Sequence, residues 1–290
     1  MPESNNDILR SRQVAALRGT IYVPGDKSIS HRSLILGGLA IGETRISGLL
    51  ESADVLATKD GLIALGVEIE KTENSDWHVS GVGMNGMVSP EIPLDLGNSG
   101  TGVRLLMGVV AGQDISAAFT GDASLSRRPM ARITDPLKSM GASITSRDGQ
   151  LPVTITGTAT PLALQHRSKV ASAQIKSAIL LAGLNARGTT QITEPHASRD
   201  HSESMLRYFG ADVQQTIGDD GSHTISLQGE AVLRGRQITV PRDPSSAAFA
   251  VVAALITPDS DVIIPGITMN PLRTGLLDTL TEMGGSIERI

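Results

Sequence analysis

Apolar positions recur every three or four residues in four segments of the chain, and each segment runs into a glycine: DGLIALGVEI (60–69), DPLKSMGASI (135–144), SMLRYFGADV (204–213) and DTLTEMGGSI (278–287). That spacing predicts a helix with one buried stripe, then a left-handed C-cap at Gly66, Gly141, Gly210 and Gly284, then a short alternating strand. The capping glycines lie 75, 69 and 74 residues apart. A second series is interleaved with the first. Ser28, Gly100, Ser172 and Ser245 each open a helix rich in Ala, Leu and Val, at intervals of 72, 72 and 73. Strands are expected after three of these helices, at GETRISG, GTTQITE and DSDVIIP, and further strand material at WHVSGV, LPVTITG and HTISLQG.

Two interleaved series that agree over four copies define a duplicated α/β unit of βαβ type, longer than the usual solenoid repeat of roughly 20–50 residues and suited to compact domains. The fourth copy stops at GGSIERI, before the strands that close the earlier units, so an incomplete final unit is expected. A length of 290 residues suits two domains better than one.

Composition narrows the chemistry. With one Trp, two Tyr and three Phe, the core must be aliphatic. The absence of cysteine excludes a disulfide scaffold, a thiolate metal site and a cysteine nucleophile. The six histidines show no ligand spacing, so no metal is expected. The formal charge is −5 and no basic stripe carries stacking aromatics, which speaks against nucleic acid. The first dozen residues have no apolar core of a targeting peptide, and the longest apolar runs (178–184 and 247–256) are too short to span a bilayer. A cytoplasmic protein with no membrane partner is the expectation.

Polar chemistry gathers at the helix starts. In GDKSISHRS (25–33), Ser28 and Ser30 are suited to cap a helix whose free amides are flanked by Lys27 and Arg32, an arrangement that attracts anions. In LDLGNSGTGVRL, the run Gly97 to Thr101 lets backbone approach a ligand closely, with Arg104 one turn on. SAQIKSA places Ser172 and Gln174 at a third start, SLSRRPM brings Arg127 and Arg128 before a proline, and SRDHSE places Ser198, Arg199 and His201 before another helix. Each alone reads as an ordinary cap or a solvated charge. Equivalent ends of a repeat face the same side, so together they suit ligands that carry phosphate and carboxylate. GVGMNG (81–86) precedes no helix, and in GDKS an aspartate separates glycine from lysine; neither is a nucleotide fingerprint. His31 reads as a packing residue.

GDKSISHRS, LDLGNSGTGVRLLMG, GDASLSRRPM, SAQIKSA and VPRDPSSAAF resemble, in order and spacing, the motifs of the 5-enolpyruvylshikimate-3-phosphate (EPSP) synthases, from about Arg18 to Ile290. LAGLNARGTTQITEP and MNPLRTGLLDTL are most similar to the glyphosate-insensitive bacterial subgroup. The resemblance implies βαβαββ units of the enolpyruvyl transferase fold, three per domain: a first domain over 23–240, and a partial, truncated second domain from 1–22 and 241–290. Six units of this period need roughly 430 residues. It implies transfer of the enolpyruvyl group of phosphoenolpyruvate to the 5-hydroxyl of shikimate 3-phosphate, in aromatic amino-acid biosynthesis, with no cofactor or metal, by a protein that is a monomer when full length.

By position, Lys27 is implied as the catalytic residue, touching phosphoenolpyruvate. Lys27, Ser28, Arg32, Ser172, Ala173, Gln174 and Arg199 are implied to hold shikimate 3-phosphate. Lys27, Gly100, Thr101, Arg128 and Gln174 are implied to hold phosphoenolpyruvate, and Asp243 to lie near the domain hinge. Two departures stand out. Ala173 replaces a serine that many members carry, and Gly100 replaces the alanine of the insensitive subgroup, which leaves room for glyphosate as an inhibitor. The family's remaining acid and base groups fall beyond Ile290, so no useful turnover is expected of these 290 residues alone. The alternatives are an inert complementation fragment that binds shikimate 3-phosphate, the sister transferase acting on UDP-N-acetylglucosamine (disfavoured by Lys27-Ser28 and the lack of cysteine), and an α/β scaffold for protein partners.

Overall fold

A computed structural model describes residues 12–290. Residues 1–11, on which the reading of the polar opening segment rests, lie outside that range. Two compact units are present: residues 24–241, and residues 12–23 together with Arg242–Ile290.

The larger unit repeats one pattern three times. The first copy comprises α1 (Lys27–Leu39), β2 (Ile41–Ser47), α2 (Ala53–Ala64), β3 (Glu68–Lys71) and β4 (Trp77–Val82), after a short β1 (Arg18–Thr20) that belongs to the smaller unit. The second comprises β5 (Leu94–Asp95), α3 (Gly100–Ala111), β6 (Ser116–Thr120), a single turn α4 (Ala123–Ser126), α5 (Ala131–Ser139), β7 (Ser143–Arg147) and β8 (Gln150–Thr156). The third comprises β9 (Gln165–Arg167), α6 (Ala173–Gly183), β10 (Thr189–Glu194), α7 (His201–Phe209), β11 (Val213–Ile217), β12 (His223–Gln228) and then β13 (Gln237–Thr239).

Each copy builds the same four-stranded mixed sheet, in the orders β13-β2-β4-β3, β5-β6-β8-β7 and β9-β10-β12-β11. The inner pairs are antiparallel, and one short strand joins each edge in parallel. That edge strand lies between copies in the chain, and β13 returns to the first sheet. The three copies are thereby closed into one ring.

The capping glycines behave as their spacing predicts: Gly66, Gly141, Gly210 and Gly284 all have φ between 92° and 108°, where a side chain is disfavoured. A second set follows the same period. A Cβ on Gly81, Gly157 or Gly229, each ending or following the last inner strand of its copy, would lie 1.9–2.2 Å from a backbone carbonyl at the end of the helix beneath. Those are contacts that only glycine permits.

The core forms around α1, α3 and α6, of which ten residues each are buried. A helix that is apolar on all sides requires neighbours on all sides, which the flanking helices and sheets provide. Gly108 of α3 and Gly112 at its C-cap face Ala178 and Ala182 of α6, and a Cβ on Gly108 would meet Ala178 Cα at 2.7 Å. The close approach of these two helices depends on small residues.

The smaller unit contains β1, α8 (Pro244–Ile256), β14 (Asp261–Ile263), paired in parallel with β1, and α9 (Gly275–Glu282). Its helix α8 is strongly apolar in sequence, yet Ala247 is its one buried residue and Phe249 is 81% exposed. The strand expected after Gly284 does not form: residues 285–290 have no regular structure. In each earlier copy the corresponding strand is held by its antiparallel neighbour further along the chain. Among the described residues, none pairs with 285–290.

Candidate active site

The helix starts differ slightly from the sequence reading. The cap of α1 is Asp26, whose carboxylate accepts the Ile29 amide at 2.9 Å, rather than Ser28 or Ser30. Ser28 lies inside the first turn, and the Ser30 hydroxyl donates to the Asp26 carbonyl while accepting the Leu50 amide. Ser99, one residue before Gly100, caps α3, and Asp243, two before Ser245, caps α8. Ser172 caps α6 as expected. Asp243 also meets Arg273 at 3.1 Å, within the smaller unit.

Side-chain bonds join the first two turns of α1, α3 and α6. Gln174 Nε2 donates to Thr101 Oγ1 at 3.1 Å, which links α6 to α3. His31 Nδ1 and Thr58 Oγ1 are 2.8 Å apart, which links α1 to α2, and Thr58 in turn packs against Gly102 in the first turn of α3. Arg32 donates from Nε to Ser202 Oγ and from Nη2 to Ser177 Oγ, both at 2.7 Å, which links α1 to α7 and α6. The starts of α1, α3 and α6 therefore lie on a common side of the larger unit. The amides that head each helix have no carbonyl one turn earlier to accept them.

Cations surround these starts. Lys27 is half-buried and paired with Asp54. Arg128 lies over the start of α3, donating to Asn98 Oδ1 at 2.7 Å, and Asn98 donates to Asp122 at 2.7 Å. That bond and the Leu125 amide hold the Asp122 carboxyl below its usual range. Arg104 donates to the Gly100 carbonyl, and burial followed by the neighbouring Arg128 lowers its pKa. Arg199 is exposed and close enough to Arg32 for its charge to be felt there. Arg127 is exposed, and its carbonyl accepts a bond from Gln150.

Thus Lys27, Ser28, Gly100, Thr101, Arg128, Ser172, Ala173, Gln174 and Arg199 sit at or beside these joined starts. Arg32 is placed differently from an open ligand: it is 5% exposed, Nη1 donates to the Ser28 carbonyl, and burial pushes its pKa down to about 10. It braces the first turn from below. His31 is fully buried, and burial, with Arg32 and Lys27 adding to it, lowers its pKa to about 3. It is a neutral packing residue. GVGMNG leads from β4 into a loop and precedes no helix.

Several residues escaped the sequence reading. Asp54, the partner of Lys27, lies in the first turn of α2. Lys176, Glu194 and Glu203 form a buried ionic cluster under the start of α6. The signal available was Lys176 itself, a single charge within the apolar run IKSAILLAG; such a lysine requires buried carboxylates. No group of metal-binding residues occurs among the described residues. Among them no helix is long and apolar enough to cross a membrane.

A ring of duplicated α/β units whose helix starts form one cation-lined face has the chemistry that suits small polyanions. The family model described as EPSP synthase (3-phosphoshikimate 1-carboxyvinyltransferase) matches residues 11–289. The chain belongs to that family. It is 55% identical to a 3-phosphoshikimate 1-carboxyvinyltransferase of Rhodopseudomonas palustris, over 99% of this chain and 65% of that protein. The corresponding protein of Granulibacter bethesdensis is 54% identical over 98% of this chain and 63% of its own. A solved EPSP synthase from Acinetobacter baumannii superposes with a TM-score of 0.85 at 48% identity, covering 95% of this chain and 62% of that one. The chain thus spans less than two thirds of the length of these relatives.

Proposed function

We propose that the protein to which this chain belongs transfers the enolpyruvyl group of phosphoenolpyruvate to the 5-hydroxyl of shikimate 3-phosphate, yielding EPSP and phosphate. The observation that carries this reading is the joining of the α1, α3 and α6 starts by Gln174–Thr101 and by Arg32, inside a fringe of Lys27, Arg104, Arg128 and Arg199. Two polyanions need that many donors, and helix starts supply them without desolvating further side chains.

In this reading the Ser172 hydroxyl, the Ala173 and Gln174 amides and Arg199 hold the sugar phosphate. The amide at Ala173 replaces the missing hydroxyl. Ser28 and Lys27 contact the ring substituents, with Arg32 fixing the Ser28 carbonyl. Thr101, the backbone at Gly100 and Arg128 hold the carboxylate and phosphate of phosphoenolpyruvate. In the reaction the methylene carbon of phosphoenolpyruvate takes a proton and the 5-hydroxyl oxygen adds to the neighbouring carbon, with loss of its own proton. Phosphate then leaves with its bonding pair as the methyl group gives up a proton. Lys27 stabilises negative charge where it develops, released from Asp54 as the anions arrive. A monomer in the cytoplasm is the setting proposed, since both phosphorylated substrates are too strongly hydrated to cross a bilayer unaided.

Calorimetric titration of the chain with shikimate 3-phosphate tests the reading. Saturable binding, with no heat from UDP-N-acetylglucosamine, is expected. Binding of the sugar nucleotide in place of shikimate 3-phosphate would overturn it.

Glyphosate is proposed as an inhibitor that shares the phosphoenolpyruvate site. A Cβ at Gly100 would lie 2.7 Å from Arg128 Nη1 and 3.0 Å from Arg104 Nη1. Gly100→Ala must therefore displace the tip of the Arg128 guanidinium from its present position beside the start of α3. In the full-length protein it is expected to weaken phosphoenolpyruvate about tenfold, roughly 1.4 kcal/mol, and the longer glyphosate by more. Inhibition constants in the two proteins read this directly, and unchanged inhibition would refute the steric account.

A further inference from the structure

Under the starts of α6 and α7 lies an ionic cluster that the reaction itself does not use. Lys176, Glu194, Glu203 and Arg32 are 2%, 1%, 1% and 5% exposed, two cations balancing two anions. Lys176 Nζ is 2.9 Å from Glu194 Oε2 and 2.7 Å from Glu203 Oε1. Arg32 feels the charge of Glu203 and donates to the Ser177 and Ser202 hydroxyls, which are 2.6 Å apart.

Glu194 is where the cluster reaches the candidate site. Its Oε1 accepts the Ser172 amide at 2.6 Å, and the Ser198 hydroxyl donates to both carboxylate oxygens, at 2.9 and 2.7 Å. Lys176 adds a long bond of 3.4 Å to the Ser198 carbonyl. One carboxylate thus holds both the cap residue of α6 and the segment that carries Arg199. An interior of this kind is a poor source of stability, because desolvation offsets most of the attraction between buried charges. Glu203 shows that cost: burial raises its pKa despite Lys176, and its Oε2 has no hydrogen-bond partner. Such a cluster is better explained by the geometry it enforces.

We propose that Glu194, locked in place by Lys176, is a positioning residue that sets the Ser172 cap and the Ser198–Arg199 segment at the spacing needed to grip a phosphate monoester. The inference rests on the reading of Ser172 and Arg199 as the sugar-phosphate pocket. Glu194 itself touches no substrate.

The distinguishing readout is selectivity between shikimate 3-phosphate and shikimate, which differ only in the phosphate. Calorimetric affinities for both are measured on the wild-type chain, on Glu194→Gln and on Ser198→Ala, with the fluorescence of Trp77 reporting unfolding. Glutamine offers one acceptor oxygen where three donors compete, so Glu194→Gln is expected to weaken shikimate 3-phosphate at least tenfold and shikimate less than twofold. Ser198→Ala, which leaves the ionic core intact, is expected to show the same selective loss at about threefold and keeps the test open if Glu194→Gln does not fold. Equal losses for both ligands, or none in Ser198→Ala, would overturn the inference while leaving the pocket reading intact. A wild-type chain that does not prefer the phosphorylated ligand would overturn both.

Discussion

Lys176→Met is expected to destabilise the larger unit by roughly 3–5 kcal/mol, because removal of one partner strands buried opposite charge. Glu194 and Glu203, each 1% exposed, would face each other across the vacated position, with the charge of Arg32 still felt at Glu203. For a unit of this size such a loss lowers the unfolding midpoint by about 6–20 °C. The single tryptophan is buried on β4 within the same unit, between Lys59 and Lys71, so its emission follows this transition without a label. Adding Glu203→Gln to the variant restores charge balance and is expected to recover a large part of the loss. Lys71→Met supplies the contrast: its pairing with Glu51 is about 40% exposed, and the expected effect is below about 1 kcal/mol. If Lys176→Met and Lys71→Met shifted the midpoint equally, the cluster would not be the tightly coupled interior that its distances describe.

Acid stability is the second large effect. The His31 imidazole is held to about 3 by burial first and by Arg32 and Lys27 next, with Asp54 opposing them, whereas the unfolded chain titrates near 6.5. Folding therefore excludes a proton that the unfolded state binds. The associated stability is complete above about pH 6.5 and is lost as the pH falls toward 3, by up to ~1.4 kcal/mol per pH unit and on the order of 4 kcal/mol in all. Glu203, whose pKa is raised, acts with the opposite sign, favouring the fold below the ordinary carboxylate range and losing that contribution as the pH rises. Comparison with His31→Asn isolates the imidazole, since asparagine keeps a polar atom for Thr58 but takes up no proton. Urea midpoints measured from pH 7.5 to pH 4 should fall more steeply in the wild type than in the variant. Parallel slopes would show that His31 is protonated within the fold.

The repeat was legible because its marks are backbone requirements. Only glycine is comfortable at the φ of Gly66, Gly141, Gly210 and Gly284, so their spacing survives any drift in the side chains around them. The parallel edge strands β5, β9 and β13 were not legible: they are two or three residues long, and β13 is defined by a partner, β2, far back in the first copy. Capping was read one or two residues late at α1, α3 and α8, since Asp26, Ser99 and Asp243 compete with Ser28, Gly100 and Ser245 for a role either could fill. The strand expected after Gly284 shows the limit of local pattern, for alternation alone does not make 285–290 a strand where no described residue pairs with them.

At the site, the helix starts could be found from polar residues interrupting apolar runs, because chain period alone dictates that equivalent starts share a side. The burial of Arg32 could not, since SHRS reads equally well with the guanidinium outward. Nor could the pairing of Lys176 with Glu194 and Glu203, whose positions fall 18 and 27 residues further along the chain and on other elements. Charge read from sequence has no direction until packing supplies one.

The convergence of three helix starts on one small polyanion can be tested residue by residue. Backbone amide resonances of the 290-residue chain would be followed by NMR during titration with shikimate 3-phosphate. Joint, saturable shifts at Ser28, Ala173 and Arg199, with a smaller response at Thr101 through Gln174, are expected. Shifts confined to a single helix start, or centred on the opposite edge at Gly81, Gly157 and Gly229, would contradict a shared anion-binding face.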